Sequence, residues 1–222
     1  MIIASQKPIE EIRETIKPYK KVLIAACGTC VTVCLAGGEK EARELADLLS
    51  LSGDQEFRVV TPKRQCDSEF LEEFDQDVAW SDAGLSLACG VGVQYLAERC
   101  TGKPIIPGLN TAFMGTNRDA GYWTEMCQGC GNCVLEKTGG VCPVARCSKS
   151  HFNGPCGGSS KGKCEVNDSI DCAWQLIYDR LKSLNQMERL FETIPPRDWS
   201  TSRDGGPRKI RRPDVAIEEV EE

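Results

Sequence analysis

Val22-Leu23-Ile24-Ala25-Ala26-Cys27-Gly28 is a short apolar run closed by a cysteine and a glycine, and Leu85-Ser86-Leu87-Ala88-Cys89-Gly90 repeats the pattern. Runs of this length without polar alternation are what a strand buried on both faces shows. Outward from the first run, Ile9, Ile12 and Ile16 recur at helical spacing, so residues 5–17 read as a helix that Pro18 stops. Beyond it, Gly37-Gly38 precedes a helix marked by Ala42, Leu45, Leu48 and Leu49 and closed by Gly53, and Phe57-Arg58-Val59-Val60 reads as a second strand. Leu71 and Phe74 fall on a short helix. The second run leads into a helix from Val91 to Arg99 and a strand at Ile105-Ile106. Strands alternating with helices imply an α/β fold, here a Rossmann-like parallel-sheet domain over residues 1–120, with its ligand site beyond the carboxyl ends of the strands. Cys27 and Cys89 would then stand at that site. The competing reading makes Gly28 and Gly90 tight turns and the cysteines small core residues.

From Trp123 the character changes. Residues 127–164 hold seven cysteines and eight glycines with no sustained apolar period, so this segment needs inorganic staples in place of a normal core. Trp174, Ile177, Leu181 and Leu184 then form one helical stripe, expected to pack back over the cysteines. Residues 121–194 therefore read as a loop-rich cysteine and metal domain with a C-terminal helix. Thirteen of the last 26 residues are charged, and residues 195–222 read as an extended or disordered tail ending in the acidic run Glu218 to Glu222.

Over 222 residues, 33 acidic side chains face 27 basic ones, and the one dense basic run, Arg208 to Arg212, lies in the tail. This balance speaks against nucleic-acid binding. No stretch approaches the ~20 apolar residues of a membrane span. Ile24-Ala25-Ala26-Cys27 imitates a lipoprotein cleavage box, but only the five residues Val22 to Ala26 precede its cysteine as an apolar core. A signal peptide needs roughly 7 to 15. The expectation is a cytoplasmic protein with reduced thiols, in which fourteen cysteines mean metal before disulfides.

Cys127, Cys130 and Cys133, each two residues from the next, followed by Cys142-Pro143, come close to the ferredoxin run in which three thiolates hold one cubane cluster. The interval before Cys142 is longer than in that run, so its wiring does not transfer. Cys147, Cys156, Cys164 and Cys172 complete a set of eight, the number two four-thiolate clusters require. Zinc is the rival, because four-cysteine zinc sites also use closely spaced pairs, although the triple run suits a cubane better. The single histidine, His151, reads as a loop residue before it reads as a ligand. In the first domain Cys27, Cys30 and Cys34 run from the strand end into a helix, where Cys30 and Cys34 share a face. Cys66 and Cys89 compete for the fourth place, and Cys100 reads as packing. No phosphate-binding loop, complete dinucleotide fingerprint or Ser-His-Asp set is legible.

Several longer strings carry a resemblance. Cys27-Gly28-Thr29-Cys30, Gly37-Gly38-Glu39-Lys40-Glu41, Arg64-Gln65-Cys66 and Ala88-Cys89-Gly90-Val91-Gly92-Val93-Gln94-Tyr95 are similar to the MetV-type small subunits of two-subunit methylenetetrahydrofolate reductases. Cys130-Gly131-Asn132-Cys133, Thr138-Gly139-Gly140-Val141-Cys142-Pro143, Asn153-Gly154-Pro155-Cys156-Gly157-Gly158 and Gly162-Lys163-Cys164-Glu165-Val166 resemble the cysteine-rich domain found with those reductases. The resemblance implies an electron-transfer subunit that reduces no folate alone. It implies a hetero-oligomer with a flavin-containing large subunit, and the residues imply 4Fe-4S clusters, two in the second domain and one in the first, fed by ferredoxin or another donor. The family's cysteine-rich domain has also been labelled zinc-binding, so the alternative implication is a structural zinc module that scaffolds its partner. Flavin is expected on the partner alone.

Overall fold

A computed structural model describes residues 1–51, 53–210, 212 and 214, and the expected acidic run Glu218 to Glu222 lies outside them. The chain divides into two compact units, Met1–Glu125 and Met126–Glu222. Among the described residues no helix is long and apolar enough to cross a membrane.

In the first unit the elements are β1 (Ile2–Gln6), α1 (Ile9–Ile16), β2 (Lys21–Ala25), α2 (Cys30–Val33), α3 (Glu39–Ser50), β3 (Glu56–Val60), α4 (Asp75–Trp80), β4 (Ala83–Ser86), α5 (Gly90–Arg99), β5 (Ile105–Pro107), β6 (Leu109–Asp119) and β7 (Tyr122–Cys127), whose last two residues are counted with the second unit. Four of the strands form a parallel sheet in the order β3-β2-β4-β5, with Ile24 beside Val59 on one side and Leu85 on the other. Val22, Ile24 and Leu85 are fully buried, as the unbroken apolar runs require. The chain leaves β2 toward β3 on one side and returns to β4 on the other, so the order reverses between β2 and β4. In parallel sheets the crevice at that reversal, outside the carboxyl ends, is where ligands bind.

The parallel sheet follows the sequence reading, but the Rossmann-like expectation holds only loosely. A second, antiparallel sheet in the order β1-β6-β7 accompanies it, with Ile3 opposite Phe113 and Gln6 opposite Leu109. Residues 5 and 6 belong to β1, so the first helix starts at Ile9, after Pro8, a residue suited to a helix start.

Gly37 explains the glycine pair before α3. A Cβ there would run into the Leu87 carbonyl and lie 2.9 Å from the Leu109 side chain, while the Gly37 carbonyl accepts from Cys27 N at 2.9 Å. The loop thus lies flat on the sheet edge where Cys27 emerges.

In the second unit the elements are α6 (Pro143–Arg146), β8 (Lys163–Cys164), β9 (Asn167–Asp171) and α7 (Ala173–Ser183). The stripe on α7 buries Trp174, Ile177 and Leu181 against Val141, Cys172, Met187 and Leu190. Within the segment that reads as extended or disordered, residues 199–201 and 203–205 form 3-10 turns capped by the Asp198 and Ser202 side chains.

Gly37→Ala should destabilise the first unit by roughly 1–3 kcal/mol, the usual cost of forcing extra volume into a packed site. Urea denaturation read by far-ultraviolet circular dichroism checks it, and an unchanged midpoint would remove the close-approach argument.

Candidate functional site

The site of the first unit is built by three strand ends. Cys27 follows β2 and is buried, its Sγ 3.7 Å from Thr29 Oγ1. Cys89 follows β4 by way of Leu87-Ala88 and serves as the N-cap of α5. Cys66 arrives on the loop after β3, which is held to the same edge by Gly28 N donating to Pro62 O at 3.0 Å. Packing around the sulfur raises the Cys66 thiol pKa first, and the nearby Cys27 and Cys89 thiols raise it further. These three sulfurs therefore share one electrostatic neighbourhood. Cys30 opens α2 three residues beyond Cys27 and is half-buried.

Gln65 secures this arrangement and has no exposed surface. Its Nε2 donates to Ala25 O at 2.7 Å and Ala26 O at 2.8 Å, and its Oε1 accepts from Ser86 Oγ at 2.7 Å. One amide ties the ends of β2 and β4 to the residue before Cys66. Its only sequence signal is that adjacency.

Cys34 goes elsewhere. Its thiol donates to Ala4 O and Val31 O, both at 3.6 Å, and is buried in the main core. Burial pushes its pKa up. Its backbone N donates to Cys30 O at 3.3 Å at the C-terminal end of α2. Cys100 packs with Ala25, Leu71 and Leu96 in a second apolar cluster.

In the second unit Cys147, Cys156, Cys164 and Cys172 line one small cavity with Arg146, Lys149 and Glu165. Loops bring them there: Cys147 ends α6, Cys164 closes β8 and Cys172 is the N-cap of α7. Ser148 Oγ lies 3.4 Å from Cys164 Sγ, and that hydrogen bond is the largest cause of the lowered Cys164 pKa. Cys156 Sγ is 3.7 Å from Glu165 Oε1, and Lys149 pairs with the same carboxylate.

The other four thiols lie on Cys127–Cys142. Gly129 N donates to Cys127 Sγ and Ala145 N to Cys142 Sγ, both at 3.4 Å. Cys127 and Cys133 are exposed and Cys130 is partly covered. His151 is exposed, and its recorded role is through the backbone, its carbonyl accepting from Trp174 Nε1 at 2.8 Å.

Among the described residues no three His, Cys, Asp or Glu side chains stand close enough to hold a metal ion as they are placed, and no disulfide joins the fourteen cysteines. The structure gathers Cys27, Cys66 and Cys89 at one edge and Cys147, Cys156, Cys164 and Cys172 around one cavity, without closing either set.

Residues 106–200 match the family model described as methylene-tetrahydrofolate reductase C terminal. The match contains all eight cysteines from Cys127 to Cys172 and relates this part of the chain to methylenetetrahydrofolate reductases. Searches of curated proteins and of solved structures returned no match.

In metal-free protein, Cys164 should be alkylated by iodoacetamide well before Cys34. A lowered pKa puts more of Cys164 in the reactive thiolate form near neutral pH, whereas Cys34 is buried and ionises above the ordinary thiol value. Peptide mass spectrometry across a pH series reads the order, and Cys34 reacting first at neutral pH would contradict this placement.

Proposed function

We propose that the chain is the electron-transfer subunit of a methylenetetrahydrofolate reductase. It takes low-potential electrons from ferredoxin or another donor protein and passes them through 4Fe-4S clusters to a flavin on a partner subunit, in a cytoplasmic hetero-oligomer. The observation that carries this reading is the grouping of seven thiols into two neighbourhoods, Cys27, Cys66 and Cys89 at the sheet edge and Cys147, Cys156, Cys164 and Cys172 around one cavity. Adding Cys30 completes a first four-thiolate set, and Cys127, Cys130, Cys133 and Cys142 remain as the third. Cys34 and Cys100 are left to packing, which removes the fifth candidate from the first domain.

The donor chemistry fits such clusters, since each set offers four sulfurs and the backbone supplies N–H donors to Cys127 and Cys142. When bound, a cluster accepts and releases one electron. The chain's part is to hold the thiolates, cover them partly from water and tune them by hydrogen bonds and charge. The flavin and the folate-reducing site are assigned to the partner, as the resemblance to two-subunit reductases implies.

A second reading has its own observation. The cavity among Cys147, Cys156, Cys164 and Cys172 has a volume of about 20 Å³, room for one water-sized occupant, and that suits a single zinc ion. On this reading that set is structural and the other two carry electrons, or the whole second unit only scaffolds the partner.

The test mixes the purified chain with the flavin-bearing reductase and follows flavin bleaching by an external low-potential donor. Wild type should accelerate bleaching at least tenfold, and Cys27→Ala and Cys133→Ala should each abolish most of that gain. Equal rates without the chain would reduce it to a scaffold.

A further inference from the structure

The tail of the second unit grips the first cysteine loop. Arg197 Nη2 donates to Cys130 O at 3.0 Å, Thr201 Oγ1 donates to the same carbonyl at 3.1 Å, and Arg208 Nη1 donates to Gly129 O at 2.7 Å. Gly131, at φ +83°, has the Thr201 carbonyl where a Cβ would stand. The loop and the tail are therefore fitted to each other backbone to backbone.

Within this grip Arg197 is left incompletely satisfied. Its Nε and Nη1 are shut away from solvent with no hydrogen-bond partner. The guanidinium carbon lies 4.9 Å from the Trp199 ring centroid and 6.0 Å from that of Phe152. Aromatic faces attract the cation but accept little from its in-plane N–H groups. A guanidinium is always charged, and burying its donors unpaired is costly. Such a group calls for an anion. The anionic chemistry at hand is that of the thiolates on Cys127–Cys133, whose peptide Arg197 already holds.

We propose that Arg197 is a positioning residue for the cluster assigned to Cys127, Cys130, Cys133 and Cys142, its Nε and Nη1 groups donating to the thiolate or sulfide sulfurs and its charge raising that cluster's reduction potential. This rests on the iron-sulfur reading given above. Reduction adds one electron and so one negative charge, which a neighbouring cation favours. Removing the cation therefore lowers the potential of this cluster and leaves the others where they are. Thr201 shares the grip without the charge, so it separates the mechanical role from the electrostatic one.

The test uses the full chain purified anaerobically, with iron and sulfide counted and each centre titrated by redox potentiometry with electron paramagnetic resonance. Arg197→Met should move one centre to lower potential, Arg197→Lys should recover part of the shift, and Thr201→Val should leave every midpoint in place. Where Arg197→Met costs one cluster's iron, retention in Arg197→Lys supports the proposal, and equal loss in Thr201→Val overturns it in favour of a purely mechanical clasp. A full iron complement with unchanged midpoints in Arg197→Met also overturns it. Wild type with no iron or sulfide fails at the first count, before any variant is compared, and takes the iron-sulfur reading down with it.

Discussion

Apolar burial is scarce in the second unit, and the rest of its design follows from that scarcity. Among its described residues the buried apolar side chains include Val134, Val144, Ala173, Trp174, Ile177, Leu181 and Ile194, and four of these sit on the single helix α7. Burying one large apolar side chain stabilises by about 1.5–3 kcal/mol, whereas fixing the backbone of one residue costs about 1–2 kcal/mol. The loops between Cys127 and Cys172 outnumber the buried side chains many times over. On the proposed reading, thiolate ligation would be the term large enough to order such a segment, since structural metal binding contributes on the order of 10 kcal/mol. Hydrogen bonds from Arg197, Thr201 and Arg208 to the carbonyls at 129 and 130 then fix the loop conformation.

The first unit solves the opposite problem. Its parallel sheet is stable through burial, and its site is a by-product of strand ends meeting at the reversal between β2 and β4. Gln65 spends all its hydrogen bonds on the ends of those two strands, and it does so one residue before Cys66. The same polar group that closes the sheet thereby sets the position of a thiol. The redox centre proposed there would benefit from this economy, because little of the surrounding structure would have to move when an electron arrives.

The parallel sheet was legible because strands buried on both faces write themselves as unbroken apolar runs, and Val22 to Ala26 is such a run. The antiparallel sheet was not. Of β6, only Leu109 is buried, so its sequence lacks a firm period-two pattern, and the last two residues of β1, Ser5 and Gln6, fall within the neighbouring helical pattern. The cysteine spacing groups Cys27, Cys30 and Cys34, whereas the thiol of Cys34 turns toward Ala4 O and Val31 O in the core, a packing detail that spacing does not carry. The tail reads as extended or disordered from its charge and its Gly and Pro content. Composition gives the number of arginines but not that Arg197 and Arg208 spend their donors on the backbone of a cysteine loop.

The central claim is that the thiols of both units hold iron-sulfur clusters. Anaerobic iron, sulfide and zinc analysis of the purified chain tests it most directly. Three four-thiolate cubanes correspond to about twelve irons with as many sulfides, in a brown protein that bleaches on reduction. A colourless protein with stoichiometric zinc and no sulfide would contradict the account.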